Sequence, residues 1–186
     1  SESAVWSRWS LRGAVTWHGP SSWPCLVWRG GGLAERKECG MSDVDDCVGL
    51  FRDGCACSQA ILGVYGPRFG LGQGDALRVA AGFAGGMRLA ETCGAVTGAF
   101  MVLGLAHCGD DCRQAAGRKT AYAAVTSFAQ EFGRRHGSLV CKELLGCDIS
   151  TPEGARSAQE QGLFRTKCVE LVRDAAELVE DMLPGA

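Results

Sequence analysis

LFRTKCVELVRDAAELVEDML, residues 163–183, decides the fold class. Phe164, Cys168, Leu171, Val172, Ala175, Leu178, Val179 and Met182 recur every three or four residues, with charged residues between them. That period puts the apolar side chains on one face of an α-helix and leaves the opposite face polar. The same period runs backwards through the chain. Leu139 to Leu145 predicts a short helix capped by Ser138 and closed by Gly146. Arg113 to Phe132 predicts a long one, ending in the basic Arg134-Arg135-His136 and then Gly137, as helix C-termini favour. Thr92-Cys93-Gly94 opens an apolar helix through Leu105, and Gly74-Asp75 opens another that runs into Gly82, Gly85 and Gly86. Ser42-Asp43 caps a first stripe, from Val48 to Leu62, that Gly54 divides and Gly66-Pro67 ends. Thr151-Pro152-Glu153 begins a polar connection of partly helical character. No stretch alternates as a strand does, so the expectation is an all-α, compact bundle of about five to six helices.

Bulk composition narrows the function classes. Apolar residues make up 46% of the 186, enough for a core that does not depend on disulfide staples. A net charge of -2 leaves no footprint for nucleic acid. The longest apolar stretch, Ala99 to Ala106, falls far short of the roughly 18–20 residues of a membrane span.

The chain changes character at Met41. All five tryptophans lie in residues 1–40, which contain no Asp, carry +2 and show no sustained period; the remainder carries 14 basic and 18 acidic residues. Residues 1–40 are therefore expected to be a leader outside the fold, with Met41 the natural start and 41–186 a helical, cysteine-rich domain. A disordered extension and a Trp-rich interaction arm are the rival readings. The head also lacks the pattern of a secretory signal, which makes a reducing cytoplasm the default location. Cys25 and Cys39 fall in this head and are set aside as ligands.

Eleven cysteines are the main chemical signal. No C-x-x-C spacing occurs, so zinc-ribbon, thioredoxin and c-type haem patterns are absent. Cys108 and Cys112 share a face if helical, although Gly109 argues for a turn there. Cys93, with Gly94 beside it, and Cys141 stand at expected helix starts, where unpaired N–H groups and the dipole lower a thiol pKa. Gly94 and Gly98 read equally as a close-packing face and as room for a ligand. His107, His136 and the Arg134-Arg135 pair read as helix-end residues.

Five ordered blocks then carry a resemblance: Phe51-x-x-Gly54-x-x-Cys57-Ser-Gln-Ala60, Gly82-Phe-Ala-Gly-Gly86, Cys93-Gly-Ala-Val-Thr-Gly98, Cys141-x-x-Leu144-Leu-Gly146 and Phe164-x-x-x-Cys168. Together they resemble the C_GCAxxG_C_C family of redox-active proteins over about residues 44 to 182. The resemblance implies that Cys57, Cys93, Cys141 and Cys168 are the family's four cysteines. A similar domain in split-Soret cytochromes accompanies an iron–sulfur centre. The first expectation is accordingly an iron–sulfur cluster held by Cys57, Cys93, Cys141 and Cys168, with Gly94 beside it, in an electron carrier or oxidoreductase.

The second expectation is a metal-free thiol–disulfide protein or sensor, with Cys93 reactive and Cys141 or Cys57 resolving. The third is a zinc-stabilised module. A redox partner protein is expected, its identity unknown, and homodimer formation stays open. Cys47, Cys55, Cys108, Cys112 and Cys147 are left as further ligands, a resolving thiol or packing.

Overall fold

A computed structural model describes residues 42–108 and 112–184. The expectations for residues 1–40, including Cys25 and Cys39, lie outside them, as does Met41. Eight α-helices follow one another: α1 Asp43–Arg52, α2 Cys57–Tyr65, α3 Gln73–Ala80, α4 Gly94–His107, α5 Ala115–His136, α6 Cys141–Leu145, α7 Pro152–Glu160 and α8 Lys167–Met182. The class is all-α as expected, but the count exceeds five to six for local reasons. Gly54, at φ +104, divides α1 from α2 outright. The 151–160 connection is a full helix, because Thr151 accepts a hydrogen bond from Gly154 N and Pro152 occupies the first turn. The last helix starts later than expected, since Gly162 turns left-handed at φ 68 and residues 161–166 form turns. The short helix also begins later: its N-cap is Val140, and Ser138 Oγ instead accepts from Val140 N.

Helix α4 is the axis of the bundle. Its residues are apolar nearly all round, and it packs against α2, α5 and α8. Ile61 and Leu62 from α2, Val96 and Leu103 from α4, Phe128 and Phe132 from α5, and Leu171, Val172 and Val179 from α8 fill the interior. Polar ties fix the helix ends. Tyr65 Oη donates to Ala176 O at 3.3 Å, joining α2 to α8. Ser58 Oγ, fully buried, donates to Ala80 O at 2.8 Å. His107 Nε2–H donates to Met182 O at 2.8 Å, which fits its reading as a helix-end residue.

Helices α2 and α4 pack closely. A Cβ on Gly98 would stand 3.0 Å from both Ile61 Cβ and Ser58 O, and one on Gly94 would stand 3.2 Å from Cys57 Cβ. Only glycine allows that approach, and the approach sets the position of Cys57. We expect Gly98→Val to cost about 3 kcal/mol from overpacking. Gly98→Ala should cost about 1 kcal/mol, because alanine's better helix propensity offsets part of the clash. Urea unfolding measures both, and a valine variant as stable as the parent would contradict the packing argument.

Between α3 and α4 the backbone turns left-handed. Gly85, Gly86, Met87, Arg88 and Ala90 have φ of 58, 64, 57, 62 and 54. For the three non-glycine residues this costs roughly 1–2 kcal/mol each. Gly86 admits no substitute, because a Cβ there would overlap the backbone of Glu91. Strain of this kind persists only where surrounding packing over-determines it, and it concentrates at functional sites.

Candidate functional site

Four helix beginnings meet at one end of the bundle. Cys57 is the first residue of α2, Cys93 is the N-cap of α4, Cys141 is the first residue of α6, and Cys168 is the second residue of α8. All four line a single cavity of about 240 Å³. Phe51, Leu145, Ile149, Phe164 and Leu171 form its apolar wall, and Arg88, from the left-handed turn, is the charged residue on its lining. The volume is below the roughly 300–1,000 Å³ of organic-ligand sites. It suits a compact inorganic group or a small molecule.

A short antiparallel contact brings two of the thiols together. Cys93 N donates to Leu139 O at 2.8 Å, Cys141 N donates to Glu91 O at 2.6 Å, and Thr92 and Val140 form an isolated bridge between them. The neighbouring Cys141 thiol, as a hydrogen-bonding group, is the leading influence holding the Cys93 thiol below its ordinary range, and the backbone N–H groups of Ala95 and Val96 at the start of α4 add to it against the effect of burial. Cys93 is thus the acidified thiol that its place at a helix start predicts.

Cys141 behaves in the opposite way. Its hydrogen-bonding neighbour Cys93 pushes its own thiol far up, and burial adds to this. The dipole of a five-residue helix does not compensate. Burial raises Cys57, with the negative charges of Cys93 and Cys168 next, although the N–H of Gly85 opposes the rise. Burial also lifts Cys168 to about 12, followed by the charges of Cys93 and Cys147. The site therefore sets one acidified thiol among three whose deprotonation the fold opposes.

Gly94 is not on the cavity lining. It faces Cys57 Cβ, Ser58 N and Phe83 O, so its part is the helix contact that seats Cys57. Arg88 and the Gly85 N–H are site features that the sequence reading passed over. Their one signal was the Gly82-Phe-Ala-Gly-Gly86 block, in which two consecutive glycines invite a left-handed turn.

The extra cysteines separate into kinds. Cys47 is fully buried in the core, and burial and the carboxylates of Asp43, Asp46 and Glu180 raise it. Cys55 is half-buried and raised mainly by burial. Cys147 is half-buried and packs against the cluster of Cys141, Leu145 and Cys168. Cys108 and Cys112 are joined in a disulfide. Their spacing is therefore a covalent clip after α4, outside the four-thiol cavity. Among the described residues, no three cysteine sulfurs stand close enough together to chelate one ion as placed.

Among the described residues no helix is long and apolar enough to cross a membrane. The search of curated proteins and the search of solved structures each returned no match. A family model does match, over residues 55–182, with the description "Putative redox-active protein (C_GCAxxG_C_C)". The matched span contains all four cavity cysteines.

Proposed function

Because the chain belongs to the C_GCAxxG_C_C family of redox-active proteins, we propose that Cys57, Cys93, Cys141 and Cys168 hold an iron–sulfur cluster and that the protein carries electrons to a partner protein. One observation carries this reading: four cysteines from four different helices line one small cavity. Four thiolates are the usual ligand complement of a cluster, and iron in such clusters prefers soft sulfur donors. The spread of the sulfurs also favours a polynuclear group. Zinc–sulfur bonds of about 2.3 Å would require thiolates roughly 3.8 Å apart, closer than these cysteines gather.

When bound, the cluster would supply one-electron transfer. The chain's own part is to lower the energy of negative charge on sulfur. Ala95 and Val96 N–H groups serve Cys93, and the Gly85 N–H serves Cys57. The apolar wall of Phe51, Leu145 and Phe164 limits water. Protein purified without oxygen should be brown, with about two to four irons and matching acid-labile sulfide per chain. A colourless, iron-free protein from that preparation would overturn the reading.

The backbone contact that sets Cys93 beside Cys141 favours one alternative, a metal-free dithiol. In it the Cys93 thiolate attacks a substrate disulfide and releases one thiolate as leaving group. Cys141 then displaces the second as its own proton departs, leaving a Cys93–Cys141 disulfide and two substrate thiols. Free thiols would fall by two on mild oxidation in this case, and Cys141→Ser would abolish the fall.

A further inference from the structure

Away from the thiol cavity, a second group of donor atoms meets where the end of α5 lies against α8. His136 is the last residue of α5, and its side chain is 3% exposed. Glu170 and Asp174 are i,i+4 neighbours on α8 and so project from one face. One imidazole nitrogen and one oxygen from each carboxylate lie within 4.8 Å of one another. His136 Nε2 is 3.0 Å from Asp174 Oδ2, and Nδ1 is 3.9 Å from Glu170 Oε1.

The Nε2 contact is not a hydrogen bond: that atom is buried and without a hydrogen-bond partner, despite the carboxylate 3.0 Å away. An orphaned buried nitrogen loses its hydration with nothing in return. Two ligands of one cation give this very distance with no hydrogen bond between them. Metal bonds of about 2.1 Å set adjacent ligands roughly 3.0–3.4 Å apart in octahedral or tetrahedral arrangements. The negative end of the α5 dipole adds to the attraction for a cation at this place. Nearby cations do not fill the role. Arg134 and Arg135 are both held by Glu131, and Lys167 pairs with Glu170 Oε1.

We propose that His136, Glu170 and Asp174 form a binding site for a divalent cation of the class that takes imidazole and carboxylate donors, with water completing its shell. The site ties the segment leading into Cys141, five residues after His136, to the turn of α8 that carries Cys168, two residues before Glu170. A cation there clamps two of the four cavity thiols into their relative position without touching them.

Manganese(II) is the probe, because it takes oxygen and nitrogen donors and leaves thiols to softer metals. The full chain, reduced and stripped of metal, should bind one Mn²⁺, read as loss of the free-ion electron paramagnetic resonance signal. Asp174→Asn and Glu170→Gln keep the shape of each side chain and should each weaken binding at least tenfold. Nitrogen coupling in the bound-ion spectrum should vanish in His136→Gln, and Mn²⁺ should raise the thermal midpoint of the parent alone. Failure of the folded parent to bind Mn²⁺, or equal affinity in both carboxamide variants, would overturn the proposal and leave a structural His–carboxylate contact. Neither result depends on whether the thiol cavity binds iron.

Discussion

Metal-free, reduced protein is expected to lose stability steeply as the pH rises above about 9. The cause is the set of groups whose protons the fold retains. Cys168 is lifted to about 12, and Cys47, Cys57 and Cys141 are raised as well, each from an ordinary value near 9. Tyr65 is raised mainly by burial, with the charges of Cys47 and Glu180 adding to it. A group raised in the folded state gives stability that is complete below its unfolded pKa and is lost as pH climbs towards its folded value.

Each such group contributes a slope of about 1.4 kcal/mol per pH unit once the unfolded chain has released its proton. Four thiols acting together approach roughly 5 kcal/mol per unit, against a typical total stability of about 5–15 kcal/mol. Cys93 has the opposite sign. Its lowered pKa adds stability that is present above about 9 and lost as pH falls through the folded value. The stability maximum should therefore lie near pH 8 to 9, with the steep side on the alkaline flank. Urea midpoints at pH 8, 9 and 10 in strong reductant would measure it, and a flat profile over that range would contradict the burial of these thiols. With the cavity thiols bound to metal, they are already deprotonated in the folded state. Cys47, Cys55 and Tyr65 then remain to drive the alkaline loss, so loading the site should flatten the slope.

The helical class was legible because the 163–183 stripe is long and its period unambiguous. Caps at Ser42, Gly137 and Gly146 were legible because each residue type satisfies a specific need at a helix end. The meeting of Cys57, Cys93, Cys141 and Cys168 was accessible through the five ordered blocks, not through periodicity, since no spacing among them is local. What escaped is what depends on a partner across the fold. The left-handed run through Met87, Arg88 and Ala90 uses residues with no preference for positive φ, so only Gly85-Gly86 hints at it. The Thr92–Val140 bridge is a single pair and leaves no alternation to read. Cys141 was expected to be acidified, as a helix-start thiol would be, but a hydrogen-bonding neighbour 48 positions earlier reverses the sign. His136 looked like one more basic residue at a helix end, because Glu170 and Asp174 lie a whole connection away in sequence.

Serine substitutions at the cysteines should divide sharply. Cys57→Ser, Cys93→Ser, Cys141→Ser and Cys168→Ser are each expected to reduce bound iron more than tenfold, because a hydroxyl is a far poorer ligand for such iron than a thiolate. The fold should survive each change. Serine is close to cysteine in size, and at position 141 its hydroxyl remains a hydrogen-bonding group beside Cys93. Cys47→Ser is the informative opposite. It places a hydroxyl in the apolar core beside Asp43, Asp46 and Glu180, which should cost stability by about 1–3 kcal/mol while leaving the iron content unchanged. Cys55→Ser should change neither quantity appreciably. The panel thus separates binding from stability, with iron and sulfide analysis reading one and urea unfolding the other. It also separates the two redox readings. A four-thiolate cluster requires all four cavity cysteines equally, whereas a Cys93–Cys141 dithiol requires only those two. Retention of full iron in both Cys57→Ser and Cys168→Ser would defeat the four-ligand assignment, because those two thiols come from α2 and α8 and have no other shared role at the cavity.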